Sequence, residues 1–121
     1  MVLPHPPRKV IIKQAIIVYS YNRTPGLVNL NAIVSVLSEY LDNGEVFRWT
    51  LPLDDDFYLD DIFYFCSLFS DDELNFSLLK KVFADKKDID APPSIAVGKV
   101  LLAEIVQHET GKECIWSLPN D

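Results

Sequence analysis

The sequence predicts one α+β domain, a mostly antiparallel sheet of about four strands with about three helices packed on it. Three observations carry that expectation. Short stretches dense in β-branched and aromatic residues alternate with segments whose apolar residues recur every three or four positions. Two strand-like stretches flank Thr110-Gly111, as the arms of a hairpin do. The chain has 121 residues, enough for one domain with a real core.

Residues 1–7 are a proline-rich lead-in with little to order them, and residues 8–121 form the domain. Val10 to Tyr21 holds Ile11, Ile12, Ile16, Ile17 and Val18 and reads as a buried strand. Asn22 to Gly26 reads as a turn. Leu30, Ile33, Val34, Leu37, Tyr40 and Leu41 fall on one face of an amphipathic helix, with Asn29 as N-cap and Asp42-Asn43-Gly44 as its stop. Val46 to Leu51 is a strand closed by Pro52.

Residues 54–69 read as a second helix, its first turn charged by Asp54, Asp55 and Asp56. Ser70 followed by Glu73 matches a capping box, so a third helix is expected from Asp71, with Leu74, Leu78, Leu79, Val82 and Phe83 on its apolar face. Asp88 to Pro93 is a loop. Ile95 to Gln107 fits a helix or a strand, and the strand reading makes it the partner of Glu113 to Leu118.

Composition excludes much. Hydrophobic residues are 49% and charged residues 24%, which is ordinary for a globular chain and not for a disordered one. The formal net charge of −7 disfavours direct binding to nucleic acid or anionic lipid and favours a cationic partner. Cys66 and Cys114 have no metal-ligand or redox-pair spacing and read as free thiols of a reducing compartment. Arg8 and Lys9 precede an apolar run, but Lys13 and Gln14 interrupt it, so neither a secretion signal nor a membrane span is expected, and the cytoplasm is the default. The aspartates of residues 54–61 lack the spacing and the glycine of a calcium loop, and the four glycines are isolated. No metal or cofactor is expected.

The distribution of charge is the most informative feature. Residues 1–23 hold Arg8, Lys9, Lys13 and Arg23 and no acid. Between Glu39 and Glu73 the acids crowd together against the single base Arg48. That surplus exceeds what helix capping uses and costs self-repulsion. The same block carries Phe57, Tyr58, Phe63, Tyr64, Phe65 and Phe69. On a helix Tyr58, Ile62, Phe65 and Phe69 form one stripe and Leu59, Phe63 and Cys66 the next, while Phe57, Tyr64 and Leu68 point elsewhere. A helix apolar over so much of its circumference is either a core helix or one with a second face for a partner.

The candidate partner-binding residues are therefore Asp54, Asp55, Asp56, Tyr58, Asp60, Asp61, Tyr64, Asp71, Asp72 and Glu73. Carboxylates around aromatic anchors suit the cationic groove of a nuclease or other nucleic-acid-binding protein. Immunity and inhibitor proteins that block nuclease-type toxins share this physical character. The expectation is a non-enzymatic acidic binding protein of that kind. One rival is an acidic adaptor or structural subunit, including a homo-oligomer using the aromatic helix. Another is a small enzyme with a site near His108 and Cys114.

Overall fold

The computed structural model describes residues 6–24 and 27–119. His5 and most of the proline-rich lead-in lie outside the described residues, as do Pro25 and Gly26 of the expected turn. The chain runs β1 (Arg8–Thr24), β2 (Leu27–Tyr40), β3 (Val46–Pro52), a 3-10 turn (Asp56–Tyr58), α1 (Leu59–Ser67), α2 (Phe76–Val82), β4 (Ala84–Asp85), β5 (Val100–His108) and β6 (Gly111–Ser117). The sheet order is β3-β2-β1-β5-β6, every neighbour antiparallel, with β4 adding a short parallel bridge to β1. No helix among the described residues is long and apolar enough to cross a membrane.

The expected balance of about four strands and three helices is corrected to a sheet-dominated fold with two short helices. The largest correction is β2, which replaces the amphipathic helix expected after Asn29. Its apolar residues satisfy two periods at once. Read every second residue, Val34 and Val36 are buried in the core and Ala32 and Tyr40 pack against it. β-Branched Ile33, Val34 and Val36 favour the pleated surface, and β2 is paired on both sides, to β1 and to β3.

The expected third helix also starts later. Ser70 ends the preceding segment, but its hydroxyl accepts only the Asp72 N–H, closing a local turn. The cap is Asn75, whose side-chain oxygen accepts the Leu78 N–H at 3.0 Å. Starting there, α2 buries Leu78, Leu79 and Val82, while Leu74 stays outside and exposed. Asn75→Ala is accordingly expected to cost about 1 kcal/mol and Ser70→Ala at most about 0.5 kcal/mol, read as midpoints of urea unfolding. The reverse order of effects would return the helix start to Ser70.

Strand β1 holds the device that lets the sheet curl. Val10 and Ile12 face the core, and a bulge between Ile12 and Gln14 shifts the register so that Ala15 and Ile17 face it too. Lys13 and Gln14, which interrupt the apolar run in the sequence, sit at that bulge. The curl is visible at the sheet's two ends. β3 and β6 are farthest apart in strand order, yet Trp116 of β6 lies 6.0 Å from Phe47 and 5.6 Å from Trp49 of β3, ring centre to ring centre. Phe65 of α1 fills the space between, 5.3 Å from Trp49 and 5.0 Å from Trp116. The concave face thus closes over α1 and α2, with Ile62, Cys66, Leu78, Leu79, Val82 and Phe83 completing the core. Arg8 pins the end of β2 by a two-pronged pair with Asp42, at 2.6 and 2.9 Å, and lies over the Tyr40 ring. That pair holds the Asp42 carboxyl below the usual carboxylate range.

Candidate protein-binding face

The α1 segment separates its residues by facing. Ile62, Phe65 and Cys66 are buried, and these are members of the stripes expected to pack inward. The opposite side carries Asp60, Asp61 and Tyr64, with Phe57 on the preceding turn. Phe57 is 79% exposed and Tyr64 49% exposed. Exposed aromatic rings of that size have no role in the core and are what interfaces use as anchors.

The acids divide by task. Asp54 accepts the Ala32 N–H at 2.8 Å, tying the turn to β2. Asp55 caps the 3-10 turn by accepting the Phe57 N–H at 2.9 Å. Asp72 takes an ion pair from Lys81 at 3.3 Å, and this pair with the Ser70 hydroxyl holds its carboxyl below the usual range. Asp56, Asp60, Asp61, Asp71 and Glu73 are exposed, and among the described residues their side chains form no hydrogen bond or ion pair. Among the candidate acids the structural share is therefore limited to Asp54, Asp55 and Asp72. Asp60 and Asp61 belong to the first turn of α1, while Asp71 to Glu73 follow its end, so the acids flank the helix that carries Tyr64. Tyr58 is half-buried, its ring edge-on to Phe57 at 5.0 Å.

Residues that sequence reasoning missed complete the face. The curl places the β5–β6 hairpin beside the start of α1. A cleft of about 420 Å³ opens there, lined by Trp49, Thr50 and Leu51 of β3, by Phe57, Tyr58 and Asp61, and by His108 and the stretch Thr110 to Cys114. A second cleft of about 620 Å³ shares Trp49, Thr50, Lys112, Glu113 and Cys114 and continues toward Arg8 and Tyr40. Together they form one seam between the two ends of the sheet. Alternation along β3 marks Trp49 as inward-facing, but nothing in the sequence says that β6 would face it.

His108 and Cys114, the residues considered for catalysis, both line the first cleft. His108 Nε2 meets Glu113 Oε2 at 2.8 Å on the exposed side of the hairpin. Burial pushes the Cys114 thiol up to about 12, with the Glu113 charge adding to it. A thiol held there is almost wholly protonated at neutral pH and a poor nucleophile. Cys66 is buried in the core and also pushed up to about 12, and both cysteines are free. Among the described residues no cluster of His, Cys, Asp and Glu could hold a metal ion. Compared with protein-family models, curated proteins and solved structures, the chain matches none.

Proposed function

We propose that this is a non-enzymatic acidic binding protein that neutralises a basic partner, an immunity or inhibitor protein against a nuclease-type toxin, acting in the cytoplasm. One observation carries the reading. Exposed Tyr64 lies on the solvent side of α1 with Asp60 and Asp61, exposed Phe57 sits on the turn before it, and among the described residues the two carboxylates have no partners of their own. Keeping such a face on a chain of net charge −7 is a liability unless a cationic surface covers it. Carboxylates then meet the basic groups that would grip phosphates, and the rings supply apolar anchors.

The test is affinity capture from cells of the source, identification of the partner by mass spectrometry, and binding kinetics with the purified partner across a salt series. A basic partner is expected. Asp60→Asn/Asp61→Asn should slow association roughly tenfold at low salt. The difference should vanish near ~1 M salt, where screening acts within about 3 Å. Stability should stay within about 1 kcal/mol of the parent, since lost repulsion and lost helix-dipole attraction oppose each other. A double variant that associates at the parent rate at every salt concentration removes this face from the interface. The adaptor reading predicts instead self-association that grows with protein concentration, or a neutral partner whose binding ignores salt.

A further inference from the structure

We infer that the cleft between β3, the start of α1 and the β5–β6 hairpin receives an arginine side chain of the basic partner. This inference rests on the binding reading above and names what the seam is for. The cleft's volume of about 420 Å³ lies within the range of small-ligand sites and accommodates one long side chain with water. Its walls combine the two things that a guanidinium seeks. Trp49, Phe57 and Tyr58 supply aromatic rings to the lining, and Asp61 supplies a carboxylate with no partner among the described residues. A planar guanidinium stacks on an aromatic face and still forks two hydrogen bonds to a carboxylate, whereas an ammonium acts as a point charge. Glu113 adds a second carboxylate, already engaged with His108. Lys112 is the one lysine or arginine in the lining, and it sits on the exposed hairpin. Exposed Asp56 adjoins Phe57 in the chain and exposed Asp60 adjoins Asp61, so further carboxylates neighbour two of the lining residues.

Binding of an oligoarginine peptide, and of an oligolysine peptide of the same length, to the full chain tests this. Calorimetry gives the affinity, and tryptophan fluorescence reports on the cleft because Trp49 lines it. Oligoarginine is expected to bind several-fold tighter than oligolysine and to change the fluorescence. Phe57→Ala and Asp61→Asn should each weaken oligoarginine about tenfold, which is about 1.4 kcal/mol. Asp90→Asn, an exposed acid in the loop after β4, should stay within about twofold, and circular dichroism confirms that each variant is folded. Equal affinity for the two peptides, or an equal drop for all three variants, would mean that the acidic surface acts as a whole. The cleft assignment then falls and the acidic binding reading stands. No binding of either peptide at low salt would overturn both.

Discussion

Phe65→Ala is expected to remove about 3–5 kcal/mol of stability, a large part of the roughly 5–15 kcal/mol typical of a whole domain. The ring is 0% exposed. It lies within 5.6 Å of four other rings, those of Trp49, Phe69, Phe83 and Trp116, ring centre to ring centre. Two of these belong to the strands at opposite ends of the sheet. Truncation therefore leaves a cavity where the curl closes, and the rigid strands around it relax only in part. The loss should appear as a lower urea midpoint and a weaker near-ultraviolet signal from the tryptophans. Phe65→Leu fills much of the same volume and should cost less than half as much, so a variant too unstable to purify does not end the test. A loss below about 1 kcal/mol for alanine would mean that the sheet closes without this ring.

Tyr64→Ala should leave stability nearly unchanged and weaken partner binding by about 2 kcal/mol or more, roughly thirtyfold. The side chain is half outside, and among the described residues its hydroxyl has no partner, so folding loses little with it. At an interface the same ring would bury a large apolar area at low entropic cost and bring a hydroxyl to the partner. The loss should appear chiefly as faster dissociation, since Tyr64 carries no charge that would steer the approach. This separates it from Asp60→Asn/Asp61→Asn, whose signature is slower association. A Tyr64→Ala chain with the parent's dissociation rate would show that the helix face is solvated in the complex.

The two expectations depend on different parts of the chain, and they differ in how far the sequence made them legible. The acidic block and its aromatic content are composition, and composition needs no fold to be read. The stripe that holds Ile62 and Phe65 follows from helical geometry alone, and with it the outward direction of Asp60, Asp61 and Tyr64. Strand β3 and the return arm β6 were equally plain, because β-branched and aromatic runs bounded by turn residues admit few other local structures, whereas the stretch that became β5 fitted a helix as well as a strand.

What the chain could not settle locally is where two local structures compete. Leu30, Ile33, Val34 and Leu37 fit a helix, while Val34, Val36 and Tyr40 fit a strand. The choice was made by β1 and β3, whose edges take up the backbone hydrogen bonds of β2. At α2, Ser70 and Asn75 are comparable caps, and burial of Leu78, Leu79 and Val82 selected the later one. The seam lies wholly on the tertiary side. Trp49 and Trp116 are far apart in sequence and at opposite ends of the strand order, yet the curled sheet brings them to 5.6 Å with Phe65 packed against both. Local chemistry determined which residues are acidic, aromatic and outward-facing. The curl of the sheet decided that Phe57, Tyr58 and Asp61 border a cleft, because register and closure are properties of strands meeting and not of any single strand.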